Sequence, residues 1–108
     1  MAQNFRRYTS NAAGTSAVTL FTADSYDTVV GISVSNITTN TIFVDVYIND
    51  STNDIYLVKD APIPAGSTLQ VLDGGAKFVV QSGDALKVVS DTASSADIWV
   101  STVDAIST

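Results

Sequence analysis

The sequence predicts an all-β fold: a single-domain β-sandwich, jelly-roll-like, of about eight short antiparallel strands with an extended N-terminal arm. Three observations carry that expectation. Apolar residues recur with a period of two, so one side of each run is suited to burial and the other to solvent. Gly, Pro, Asn, Asp and Ser gather between the alternating runs, at intervals of about 8 to 15 residues. The composition favours strand over helix, because all 11 acidic residues are Asp, none is Glu, and Ser and Thr are abundant. A chain of 108 residues has room for one domain, which buries roughly 65% of the surface its unfolded form exposes.

Residues 1–15 show no periodicity and end in the small residues Ser10-Asn11-Ala12-Ala13-Gly14-Thr15, so the arm is expected to order against something else. Phe5 and Tyr8 flank Arg6 and Arg7 in it, side-chain types enriched where protein surfaces meet. Residues 16–108 form the sandwich. Ser16 to Phe21 alternates, and so does Tyr26 to Ser35, with Val30, Ile32 and Val34 on one face. In the next run Ile42, Val44, Val46 and Ile48 point inward while Phe43, Asp45 and Tyr47 point outward. Asn36 to Asn40 and Asp50 to Asp54 are connecting turns.

After Ile55 to Val58 comes Pro62-Ile63-Pro64, which removes two donors and excludes Asp60 to Ala65 from a helix or a central strand, so the chain is expected to cross over there. Thr68 to Leu72 follows Gly66, and Asp73-Gly74-Gly75 reads as a hairpin turn into Lys77 to Val80. Ser82-Gly83-Asp84 turns the chain into Leu86 to Val89. The last strand, Ile98 to Val103, sets Trp99 opposite Ile98 and Val100.

The chemistry of the side chains excludes more than it suggests. With no histidine and no cysteine, Ser-His and Cys-His nucleophiles, thiolate metal sites and disulfides are all missing from the repertoire. Eleven scattered Asp residues are what solvated turns contain. Catalysis is not expected, and neither a cofactor nor a metal is. Asn49 to Asp54 offers oxygen ligands in one turn but lacks the Gly and terminal Glu of an EF-hand loop, so it reads as a polar hairpin tip. A net charge of −6 repels phosphate and argues against nucleic acid as a partner. No apolar run approaches the ~18 residues of a membrane span or the h-region of a signal peptide, which implies synthesis and assembly in a cytoplasm and no membrane partner. Strands apolar on both faces, above all Ile42 to Ile48 and Phe78 to Val80, suit either a covered or central strand or an apolar surface reserved for another subunit.

The run YLVKDAPIPAGSTLQVLDGG, then KFVVQSGDALKVVS, then ADIWVSTVDA resembles small virion structural proteins of tailed bacteriophages, particularly those of marine cyanobacterial phages. The likeness covers the C-terminal half, from Tyr56 to Asp104, and is architectural: hydrophobic strand, Pro-rich crossover, strand, Gly-Asp turn, strand, final alternating strand. It implies a non-enzymatic capsid decoration or cement protein of the virion that binds the major capsid protein or other virion proteins. A homotrimer is the simplest oligomer for such a role. The alternatives are a neck or tail component, or a carbohydrate- or receptor-binding module of a fibre with Tyr47, Tyr56 and Trp99 as platforms. On this reading Phe5, Arg6, Arg7, Tyr8, Phe43, Tyr47 and Trp99 meet the partner.

Overall fold

The computed structural model describes residues 2–23, 27–72 and 78–106, and among them nine strands and no helix. They are β1 (Ala2–Ala13), β2 (Val18–Thr22), β3 (Asp27–Asn36), β4 (Ile42–Asn49), β5 (Asp54–Ile63), β6 (Thr68–Leu72), β7 (Phe78–Val80), β8 (Ala85–Ser90) and β9 (Ala96–Ile106). All pair antiparallel in two facing sheets. The first runs β1-β9-β3-β6, with β7 also on β3, and the second runs β2-β8-β4-β5.

Alternation explains what lies between them. Val29, Ile32, Val34, Ile98 and Val100 from the first sheet meet Ile42, Val44, Val46, Leu86 and Val88 from the second in one core. All are aliphatic, and most are β-branched, the side chains that pack best on a pleated surface. Turn chemistry closes the ends as expected. Gly83 takes φ 93 while the Asp84 amide donates to the Gln81 carbonyl at 2.9 Å. At the tip after β4, the Asp50 carboxylate accepts from the Thr52 and Asn53 amides at 3.0 and 2.7 Å, which holds its pKa below the usual carboxylate value. Gly14 suits the close corner after β1, where a Cβ would crowd the Ser94 backbone nitrogen at 3.1 Å.

Four expectations are corrected. Residues 2–13 are not an arm awaiting a neighbour: they form β1, paired with β9 from Ala2↔Ile106 to Ala13↔Ala96. Their composition lacks a long apolar alternation because, among the described side chains of β1, only Tyr8, stacked on Phe21 at 4.6 Å, and Ala13 reach the core. Val30 is not in the core. A bulge between Val29 and Gly31 sets two residues of β3 against one of β9 and reverses the parity, so Val29 goes inward and Val30 outward. The proline stretch is strand as far as Ile63, with Pro62 opposite Phe43, because β5 is the outer edge of its sheet and needs no donor there. The crossover follows, at Pro64 to Ser67, where the Ser67 amide donates to the Pro64 carbonyl and Gly66 takes φ 71.

Finally, β6 and β7 do not pair with each other. Both lie antiparallel to β3, Thr68 opposite Ser35 and Val80 opposite Asp27, so they run in the same direction along it. The expected Asp73-Gly74-Gly75 hairpin, Lys77 and Tyr26 lie outside the described residues.

Candidate functional site

The register of β1 against β9 sorts the residues expected to bind a partner. Tyr8 and Arg6 stand opposite Val100 and Thr102, both buried, so they belong to the inner side; Phe5 and Arg7, one residue out of phase, belong to the outer side. Trp99 alternates with Ile98 and Val100 and therefore joins them on the outer side, half exposed. The Arg7 guanidinium lies over the indole, 5.4 Å from the ring centroid, and the indole N–H donates to Ser101 Oγ at 3.3 Å. Three of the seven expected residues, Phe5, Arg7 and Trp99, thus come together on one sheet face.

The others do not join them. Phe43 and Tyr47 lie on the outer face of the second sheet, across the whole sandwich from Trp99. Phe43 is exposed, but Tyr47 is only 8% exposed because Tyr56 covers it from the neighbouring strand, ring centroids 5.0 Å apart. Burial raises the Tyr47 phenol pKa above its ordinary value, with the carboxylate of Asp54, the Tyr56 ring and Asp45 acting in the same direction. Lys59 sits 4.8 Å over the Tyr56 ring and 3.4 Å from the Asp45 carboxylate, whose hydrogen bond raises the lysine pKa. A tyrosine packed in this way is a structural group and not a platform.

The outer face of the first sheet divides into two halves. Towards one end it is apolar: Phe5 is 79% and Val79 61% exposed, with Val30 and Val103 between. A depression of about 360 Å³ lies among Phe5, Arg7, Val30 and Trp99. Towards the other end it is polar and tied into rungs. Ser33 Oγ donates to Gln70 Oε1 at 3.2 Å, Ser35 and Thr68 share a hydrogen bond of 2.9 Å, and Asp97 Oδ1 accepts from Asn11 Nδ2 at 3.0 Å and the Ala12 amide at 2.8 Å. Val30 and Val79 escaped the sequence reading, since a bulge and an interrupted strand decide their side. Among the described residues no three of His, Cys, Asp or Glu stand close enough to hold a metal ion. What the face can do is dock: a flat aromatic under a cation, flanked by exposed aliphatics, suits another protein surface.

No protein-family model and no curated protein matches the chain. Among solved structures it is similar to one described by the words "Bacillus endospore appendages form a novel family of disulfide-linked pili", with a TM-score of 0.55 over 98% of this chain and 88% of that one. The two sequences are 15% identical, so what the likeness establishes is the fold.

Proposed function

We propose that the chain is a non-enzymatic structural protein that docks into a larger particle through the outer face of its first sheet. One observation carries this reading: Phe5, Val79 and Trp99 are exposed large hydrophobics gathered on a single face, with Arg7 held over the indole. Monomeric soluble proteins seldom leave such a cluster uncovered, whereas the core of a protein interface is built from aromatics and arginine. The structural neighbour's printed description is of subunits that assemble into pili, which favours an assembly part of some kind. This chain has no cysteine, so its own contacts include no disulfide.

The finer reading follows the resemblance of the C-terminal half to tailed-phage virion proteins. It makes the chain a capsid decoration or cement protein, a homotrimer on the major capsid protein, residing in the virion. The acidic body then faces solvent, and Phe5, Arg7 and Trp99 face the lattice.

The test is the mass of the purified protein alone and its co-sedimentation with undecorated capsids, for the natural chain and for Trp99→Ala. The reading expects particles to carry the natural chain and to lose at least about tenfold in affinity for the variant, as truncation of an interface anchor does. The melting temperature should fall much less than the affinity, because Trp99 is half exposed and stands outside the core cluster. A monomer that ignores capsids removes the decoration reading. Tail structures and glycans are tested next; the depression of about 300 Å³ between Thr9, Asn11, Asp97 and Trp99 is where a sugar would stack.

A further inference from the structure

The two sheets have four outer edges, and the chain treats one of them differently. β5 carries three devices that discourage an added strand: Pro62 has no amide to offer, Lys59 is exposed, and Asp60 at φ 53 lies beside register breaks against β4. β2 is 5 residues long and breaks register between Thr19 and Phe21. Along the edge opposite β1 the described residues belong to two separate segments, β6 and β7, and not to one continuous strand. Each of these three is short, broken or blocked.

β1 is long and open, and its one register break, between Ser10 and Ala13, lies at its C-terminal end. It has 12 residues, keeps continuous register with β9 from Ala2 to Ser10, and contains neither proline nor lysine. Because β9 occupies one side only, alternate N–H and C=O groups along β1 point away from the sheet, the template on which an extended chain adds. Left open, such an edge recruits strands indiscriminately. A chain that guards three edges and leaves its longest one regular has a use for it.

Charge selects the occupant. The molecule carries −6 overall with 11 acids, yet its only two arginines are adjacent and both lie in β1. A second copy of β1 would bring an arginine pair towards an identical pair and set two acidic bodies side by side. A short acidic segment brings no second acidic body with it, and at the edge it meets Arg7. On the outer face Phe5 and Arg7 are two residues apart, the spacing at which a paired strand presents successive side chains to one face, and Trp99 and Val30 extend the apolar floor beside them.

We infer that the free edge of β1 binds an extended acidic segment of a partner protein, which adds to the first sheet as an outer strand. One apolar side chain of the segment packs against Phe5 and Trp99, and a carboxylate two positions along pairs with Arg7. The inference rests on the reading of the chain as an assembly part and states how it docks: by backbone pairing at an edge, with the face supplying specificity.

The experiment uses the full chain, isotopically labelled, with two short capped peptides, one alternating valine with aspartate and one alternating valine with lysine. Binding and residue-resolved amide exchange are followed together. The aspartate peptide should bind at least about tenfold more tightly than the lysine peptide, and Arg7→Glu should erase the difference while leaving the melting temperature unchanged. The β1 amides that point away from β9 exchange fast in the free protein and should slow by about tenfold or more in the complex. Three results overturn the inference: no binding of the aspartate peptide, binding that leaves those amides fast, or slowing of the same amides on raising the protein concentration alone, which would make a second copy the occupant. If capsids bind while those amides stay fast, docking is through the face alone, and only the strand addition fails.

Discussion

Among single residues, Asn36 and Thr102 show how differently two buried polar groups act. Asn36 is 2% exposed and uses its whole amide: Nδ2 donates to the Asn40 carbonyl at 2.7 Å and to the Ile63 carbonyl at 2.8 Å, and Oδ1 accepts from the Thr38 amide and hydroxyl, both at 2.8 Å. Since Ile63 ends β5 in the opposite sheet, this side chain ties the sheets together at one end. Thr102 is 1% exposed, and its hydroxyl has no hydrogen-bond partner among the described residues. Asn36→Ala should therefore lower stability by about 2 to 4 kcal/mol, while Thr102→Val should raise it by about 0.5 to 1 kcal/mol by removing a desolvated hydroxyl without changing shape. Urea midpoints at constant slope measure both. Tyr47 makes a pH prediction. Its folded pKa is raised, so the neutral phenol contributes stability that is fully present below the unfolded value of about 10 and is lost as pH rises through the folded value. Ultraviolet titrations of the natural chain and of Tyr47→Phe should differ by a step above the pKa of the free amino acid; a Tyr47 that titrates like free tyrosine would refute the packing argument.

At the scale of elements, the alternating runs were legible because period-two patterning leaves a strand only one way to face a core. The positions of β4, β8 and β9, the inward Val44 and Val46, and the placing of Trp99 opposite Ile98 and Val100 all follow from it. Bulges were not legible. The extra residue between Val29 and Gly31 depends on what β9 presents opposite, which no local window contains. Nor was the place of β1, whose polar sequence becomes a strand only because β9 offers it a partner. These two strands have unequal duties. β9 lies between β1 and β3 and brings Ala96, Ile98 and Val100 to the core, whereas β1 is an edge. Deleting residues 96–106 should abolish folding. Deleting residues 2–10 should leave a folded sandwich, less stable by several kcal/mol through loss of Tyr8 from Phe21 and of one row of strand pairing. Far-ultraviolet circular dichroism with urea unfolding distinguishes the two, and an unfolded chain in both cases would show that β1 is integral to the core.

At the scale of the whole molecule, the arrangement is asymmetric in a way that composition conceals. The net charge is spread over Asp residues in the described turns and strands, while both arginines lie on one strand at one edge. The two sheets likewise have unlike outer faces: on one Tyr56 covers Tyr47 while Phe43 stands exposed, and on the other the cluster of Phe5, Arg7 and Trp99 lies open. Docking by that second face, with the β1 edge beside it, leaves the hairpin tip at Asp50 on the far sheet free in solvent. The co-sedimentation and peptide experiments act on this scale, since Trp99→Ala interrogates the face and amide exchange interrogates the edge.

The sequence by itself determined the fold class, most strands, the turn at Gly83 and the poverty of catalytic groups, because periodicity, turn stereochemistry and side-chain inventory are local properties. Tertiary structure alone decided which residues share a face. Seven aromatic and basic residues looked equivalent along the chain, and pairing distributed them: Phe5, Arg7 and Trp99 to one outer surface, Arg6 and Tyr8 to the inner side, Phe43 and Tyr47 to the opposite sheet. The reason is that a single residue of register or one bulge turns every following side chain to the other side of a sheet, and register is set by the partner strand across the sheet.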